Sequence, residues 1–424
     1  MSATETQRTI AAVWRIESAR LIGSLARQVR DVGLAEELAQ DALVAAMEQW
    51  PQSGVPDNPG AWLMTTARRR AIDALRRDAL LARKHVELAH ELESAFDDAH
   101  AMADAALDDP IGDDVLRLVF TACHPVLPFD ARIALTLRML GGLTTEEIAR
   151  AYLVPEATVA QRIVRAKRSL SDAQVPFEVP RGAELAERLD AVLEVIYLIF
   201  NEGYTATAGG DWMRPQLCEE AQRLARIVCG LMPREAEVQG LAALLELQAS
   251  RAPARTAADG TPILLADQNR ARWDRLLIQR GLAALERAHT LGGRRGRYTL
   301  QAAIAACHAR APSAAATDWR EIAALYGELG EVAPSPIVEL NRAVAVGMAD
   351  GAAAGLAVVD ELREEPALRQ YHLLYTVRAD LLERLGRHAE AEREYRHAAG
   401  LTRNERERVL LDAHAERTAA AARA

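Results

Sequence analysis

At 424 residues the chain is long enough for roughly two to four domains, each burying its own core. Half of the residues are hydrophobic but only 4% are aromatic, and alanine and leucine dominate, so an all-α fold is expected. A formal net charge of −9 excludes bulk positive charge as a hold on nucleic acid. Four scattered cysteines without CxxC spacing (Cys123, Cys218, Cys229, Cys307) support neither a disulfide framework nor a metal site.

The first stretch, MSATETQRTIAAVWRIESAR, lacks the charged-then-apolar order of a signal peptide. No run of about eighteen apolar residues follows it anywhere, so the expectation is a reduced, cytoplasmic protein with no membrane span. GLAEELAQDALVAAMEQW (33–50) reads as an amphipathic helix. Leu34, Leu38, Ala42 and Ala45 run along one side, with Glu36, Glu37, Gln40 and Asp41 on others. Alone it is a bundle member. Two prolines in PQSGVPDNP (51–59) end it, and Asn58-Pro59 supplies a cap and first-turn pair for the next helix.

In PGAWLMTTARRRAIDALRRDALLARK (59–84) the packing side carries Leu63, Ala67, Ala71 and Ala74. Across from them lie Arg69 and Arg76 with Trp62 and Thr65, flanked by Arg68 and Arg77. A tryptophan among arginines suits base stacking beside phosphate neutralisation on single-stranded nucleic acid. The same Trp62, close to the helix start, can instead fold back on the preceding helix, and the arginines can be a solvated face.

The charge then reverses. From Val86 to Leu116 there is no Lys or Arg, while Glu87, Glu91, Glu93 and a series of aspartates ending in Asp113 and Asp114 accumulate. Two basic patches separated by an acidic stretch suggest two small nucleic-acid-contacting modules on a tether, a pattern that net charge conceals. The second patch lies in LTTEEIARAYLVPEATVAQRIVRAKRSL (143–170). Thr144 and Glu147 form a capping box, and Pro155 restarts the chain as a first-turn residue. Val159, Ile163, Ala166 and Leu170 share one helical stripe; Thr158, Gln161, Arg162, Arg165 and Arg168 share the opposite one. That is a helix-turn-helix layout offering amide, hydroxyl and guanidinium groups to a DNA groove. Its plainer alternative is a helical hairpin with a solvated basic face.

Helix 33–50, its loop, and the helix ending AWLMTTARRRAIDALRR resemble the second conserved region of extracytoplasmic-function sigma factors. Residues 143–170 resemble the fourth, in the same order and spacing. The resemblance implies two small helical sigma domains, 1–85 and 111–175, joined by an acidic linker, 86–110. It implies a sigma factor, without enzymatic activity, cofactor or metal, that directs bacterial core RNA polymerase to promoters. Glu37, Leu38, Gln40, Asp41 and Leu43 would dock on the polymerase. Trp62, Thr65, Arg68, Arg69, Arg70, Arg76 and Arg77 would handle the −10 strand of promoter DNA. Thr158, Gln161, Arg162 and Arg165 would enter the −35 groove, with Arg168 on a phosphate. Arg69 stands where the family usually has asparagine, Leu153 where a turn glycine is usual, and Ala160 where lysine is frequent; these bear on base preference. In the family the linker threads the polymerase's RNA path, where its carboxylates mimic phosphates or serve as a solvated tether.

After Pro176 and Pro180 the chain is helical again over 183–424, with breaks expected at Gly209-Gly210, Asp259–Pro262, Gly292–Gly296, Pro312 and Pro334–Pro336. YTVRADLLERLGRHAEAEREYRHAAGL (375–401) resembles a tetratricopeptide repeat (TPR), with Gly386 at the turn and Ala391, Tyr395 and Ala398 at interlocking positions. NRAVAV (341–346) is a fainter copy of VRADLL (377–382), which places repeats near 336–402, although Arg403 stands where the closing proline belongs. The whole chain thus resembles the sigma-factor group with a TPR-like C-terminal extension. This implies a peptide or protein partner at that extension and a regulatory role for it.

Two polar clusters in this half invite a ligand reading. Asn201, Glu202, Tyr204, Asp211 and Trp212 would line a small-molecule pocket, and Asp267, Gln268, Asn269, Arg270, Arg272, Trp273 and Asp274 would form a peptide clamp on one helix. Helix termini and interhelical contacts account for both as well. Cys123-His124 and Cys307-His308 read as buried thiols beside satisfied histidines. Phosphate loops, HExxH and GxSxG are absent from the sequence. Two alternatives remain: a conventional helix-turn-helix transcription regulator with a ligand- or peptide-sensing helical domain, and a helical scaffold with an incidental basic hairpin. The tryptophan–arginine helix and the acidic linker argue against a duplex-only reader.

Overall fold

The computed structural model describes residues 3–85, 111–152, 154–206, 208–209, 212–257 and 260–423. It divides into two compact units, Met1–Val195 and Ile196–Ala424. Helices account for the architecture of both, as composition led one to expect. Among the described residues the extended pairing is two residues long: β1 (Ala208–Gly209) runs parallel to β2 (Arg403–Asn404).

The first unit begins with three helices, α1 (Ala3–Val29), α2 (Val32–Ser53) and α3 (Pro59–His85). Asp31 caps α2, its carboxylate accepting the Leu34 amide at 2.8 Å. Asn58 does the same for α3 through the Ala61 amide at 3.0 Å. The buried stripe of α2 is mostly alanine (Ala35, Ala39, Ala42, Ala45, Ala46), which lets neighbouring backbones approach, and Trp50 fills the space at its end. Ile22 and Leu25 of α1 and Leu63, Ala67 and Ala71 of α3 complete this core.

Four shorter helices follow: α4 (Ile111–Ala122), α5 (Phe129–Met139), α6 (Thr145–Tyr152) and α7 (Glu156–Asp172). The capping box at the start of α6 forms as the sequence predicts, with Thr144 N to Glu147 Oε2 at 2.8 Å and Glu147 N to Thr144 Oγ1 at 3.1 Å. Val159, Ile163, Ala166 and Leu170 of α7 are all buried. Pro155 caps the helix from just outside rather than opening its first turn. Leu153 and residues 86–110, the acidic linker, lie outside the described residues. Asp114, at the end of that acidic stretch, is no tether residue. It is buried on α4 between Arg117 at 2.7 Å and Arg27 of α1 at 3.3 Å, where Gly23 leaves room for the α4 backbone.

The unit boundary falls inside α8 (Ala183–Tyr204). Arg188, on its N-terminal half, is nearly buried and donates to the Phe120 carbonyl at 2.7 Å, so the first unit extends past residue 175.

The second unit stacks helices in sequence: α9 (Pro215–Leu231), α10 (Ala236–Ala249), α11 (Arg275–Thr290), α12 (Arg297–Arg310), α13 (Trp319–Val332), α14 (Pro336–Ala349), α15 (Ala352–Leu362), α16 (His372–Arg384), α17 (His388–Leu401) and α18 (Glu405–Arg423). Helix α10 is buried on nearly every side. Its Glu237 caps α12 from outside, accepting the Tyr298 amide at 2.8 Å and the Thr299 amide at 3.1 Å. Leu300 and Ile304 pack with Ile322, Leu329 and Ala345, joining α12, α13 and α14. A further cluster joins α14 to α18 through Leu340, Leu356, Leu374, Tyr395 and Leu411. The helical pair α16–α17 turns at Gly386 (φ 74°) and buries Ala391, Tyr395 and Ala398, the three positions singled out from sequence.

Candidate nucleic-acid interface

On α2, Glu37 and Asp41 are exposed and Gln40 and Leu43 half-buried. Leu38 is not available for docking. It is 6% exposed, because it falls on the same helical stripe as Ala35, Ala39 and Ala42. The docking face drawn from sequence therefore narrows to Glu37, Gln40, Asp41 and Leu43.

Helix α3 turns Leu63, Ala67 and Ala71 inward and leaves Thr65, Arg69 and Arg76 exposed, with Arg68 and Arg70 half-buried. Arg70 pairs with Asp41 of α2 at 3.2 Å, which ties the −10 candidates to the docking candidates. The Arg77 side chain lies outside the described residues. Trp62 folds back: its ring meets buried Trp50 edge-to-face, with centroids 5.4 Å apart. The plainer reading of Trp62 thus describes its position here, although the residue remains half-exposed.

On α7, Gln161, Arg165 and Arg168 are exposed and Thr158 is half-buried. Arg162 reaches Asp130, in the first turn of α5, at 2.9 Å. Arg168 pairs with Asp172 one turn away at 3.4 Å, with both side chains largely in water. Such a pair is weak enough to exchange for a phosphate.

Sequence reasoning missed a buried ion-pair cluster in this unit. Glu36 of α2, only 5% exposed, accepts from Arg138 of α5 at 3.0 Å and from Lys167 of α7 at 2.5 Å. Arg138 also donates to the Leu143 carbonyl at 3.3 Å. The carboxylate thereby pins the arginine-bearing helix α7 against α2. The one local signal was a glutamate and a lysine each bordering an apolar stripe, beside Ala35 and Ala166. Nothing local links residues 131 positions apart.

The two C-terminal clusters are braces. Glu202 pairs with Arg214, and Arg255 lies over the Tyr204 ring 3.6 Å from its centroid while donating to the Tyr204 carbonyl and the Thr205 hydroxyl. Asp211 lies outside the described residues. Residues 267–274 do not form one helix. They make two single turns, Leu265–Asp267 and Arg270–Arg272, because Asp274 caps α11 and the helix starts only at Arg275. Trp273 is buried, and Arg270 donates to the carbonyls of His308 and Ala311.

Burial pushes the thiols of Cys123 and Cys229 up to about 11 and those of Cys218 and Cys307 up to about 12, far from nucleophilic use at neutral pH. The His124 ring accepts the Val126 amide through Nδ1 at 3.1 Å. His308 departs from the expected satisfied histidine: its buried Nδ1 has no hydrogen-bond partner among the described residues. No helix among these residues is long and apolar enough to cross a membrane.

Comparison with known proteins places families along the chain. Sigma-70 region 2 matches residues 16–80, and Sigma-70, region 4 matches 117–170. A family of unknown function (DUF6596) matches 188–289. The chain is 44% identical over 391 residues to the uncharacterised protein R00370 of Rhizobium meliloti, an alignment covering 92% of this chain and 91% of that protein. It is 30% identical over 169 residues to the ECF RNA polymerase sigma factor SigK of Mycobacterium tuberculosis, covering 39% of this chain and 84% of SigK. The similarity to SigK of Mycobacterium ulcerans is also 30%, over 157 residues, covering 36% of this chain and 78% of that protein.

Proposed function

This chain belongs to the ECF RNA polymerase sigma factors, and from that premise we propose that it docks on bacterial core RNA polymerase through α2 and selects promoters through α3 and α7. Its part in transcription is recognition, not catalysis. Glu37, Gln40, Asp41 and Leu43 form the polymerase contact. Arg68, Arg69, Arg70 and Arg76, with the remaining surface of Trp62, hold the −10 strand. Thr158, Gln161, Arg162 and Arg165 read the −35 groove, and Arg168 takes a phosphate. The observation that carries this reading is the division of labour on α3 and α7: one stripe of each is buried, and the opposite stripe offers exposed arginine.

The second half of the proposal concerns residues 183–424, which we take to govern whether the sigma regions engage polymerase. More than half of the chain is spent on packed helices, and the alignment with R00370 runs through both units. A stack of helical hairpins is a surface for a peptide or protein partner. Run-off transcription with core polymerase tests this, comparing the full chain with residues 1–195. A cut at 175 would remove Arg188 from Phe120 and confuse the result. Promoter output should change severalfold in one direction. Unaltered output would leave the extension without a role in transcription.

A further inference from the structure

Within the second unit lies a cavity of about 320 Å³. Its walls come from α14 (Val344, Met348), α16 (Val377, Leu381), α18 (Leu411) and the start of α13 (Trp319). The exposed Leu264 stands at its rim. An apolar cavity of roughly 150 Å³ suffices for benzene. This one has about twice that room, within the range of small-molecule sites.

Three features define what would fill it. The walls are overwhelmingly hydrophobic, so water gains few hydrogen bonds inside. The charged lining groups are already engaged: Arg270 donates to two carbonyls and to the Thr317 hydroxyl at 3.2 Å, and Asp380 pairs with Arg384 at 2.9 Å. Asp380 and Arg384 neutralise each other, and the Arg270 fork is directed at protein oxygens. His308 also lines the cavity, 8% exposed, with its ring against Trp319 (centroids 5.2 Å apart) and its Nδ1 unpartnered. Burial and the nearby Arg251 and Arg270 hold its pKa down at about 4, so the imidazole is neutral and offers one donor and one acceptor.

We propose that this cavity binds an uncharged, largely hydrophobic small molecule about the size of two fused rings, with one hydroxyl or carbonyl hydrogen-bonded to His308. The site goes beyond the sigma-factor reading and stands whether or not the extension governs transcription.

Calorimetric titration of the full chain with 2-naphthol tests it, with naphthalene and 2-naphthoate for comparison. One equivalent of 2-naphthol should bind, and 2-naphthoate should bind at least tenfold more weakly. His308→Phe keeps the ring against Trp319 and should weaken 2-naphthol by roughly tenfold while leaving naphthalene unchanged. Met348→Trp fills the cavity and should abolish binding of both neutral probes. Should that variant lower the unfolding temperature, Ala314→Trp, on the lining segment between α12 and α13, replaces it. The proposal is overturned if 2-naphthol does not bind, or if cavity filling leaves its binding intact. Equal affinity for the naphthoate anion also overturns it. So does tighter binding of a blocked tryptophan tripeptide, which would make the cavity a seat for a partner's side chain.

Discussion

The two units put the same residue type to opposite uses. In the first, Arg69, Arg76, Arg165 and Arg168 stand in water on helices whose other faces are buried. In the second, Arg255 is spent on Tyr204 and a carbonyl, Arg270 on two carbonyls, and Arg378 on Asp360 at 2.8 Å and Glu394 at 2.5 Å. An exposed guanidinium keeps its hydrogen-bonding fork for a phosphate or base, whereas a satisfied one braces the fold. The difference separates a surface built to meet a polyanion from an interior built to hold its shape.

The first unit also has braced cations, at Asp114, at the Phe120 carbonyl and at Glu36, and breaking the Glu36 cluster should have the largest effect. Glu36→Ala leaves Arg138 and Lys167 half-buried without a counter-charge and should lower the stability of the unit by roughly 3–5 kcal/mol in denaturant unfolding. A loss below 1 kcal/mol would mean that α7 is not held to α2 by this carboxylate.

His308 tests the interior character of the second unit. Its folded pKa, about 4, lies below the 6.5 of the unfolded chain. Between those values the unfolded state binds the extra proton, so stability falls as pH falls from 6.5, and the full loss of about 3 kcal/mol is reached below about 4. His308→Phe should remove that share of the acid sensitivity, measured as the difference between the two proteins' unfolding curves across the window. Parallel curves would place His308 in water.

The exposed arginines should yield smaller, more selective effects. Arg162→Ala should cost roughly 1–3 kcal/mol at one −35 position and relax base preference there, while Arg168→Ala should weaken all promoters alike and lower the salt slope by about one. Identical effects of both variants across sequences would break the assignment of the reading face. Trp62→Ala should cost about 1 kcal/mol of stability through its lost edge-to-face contact with Trp50, and Trp62→Phe should restore most of it. A transcription defect of Trp62→Ala confined to duplex templates, and absent on pre-melted ones, would show that the tryptophan also serves strand opening.

What the sequence disclosed was local. The Thr144–Glu147 capping box spans three residues, the stripe of Val159, Ile163, Ala166 and Leu170 is one helix period repeated, and the turn at Gly386 depends on one residue's φ. Long-range partners had no such trace. Glu36 meets a lysine 131 positions away, Asp114 leaves its acidic run to bridge two arginines, and the cavity at His308 gathers residues from six α-helices and from the segments 264–270 and 314–317. Leu38 lies buried, and a leucine on an alanine stripe looks the same in sequence whether a partner protein or the chain's own core covers it. The cluster at 267–274 looked like one helix, but Asp274 caps the helix that follows it.

The most direct test of the sigma-factor account is to map transcript 5′ ends produced from genomic DNA by core bacterial polymerase with the purified full-length chain. The account predicts discrete start sites that share two upstream motifs at −10 and −35 spacing, absent with core polymerase alone and absent when Arg69 and Arg165 are both replaced by alanine. Start sites indistinguishable from those of the core enzyme, or unchanged by that double substitution, would contradict it.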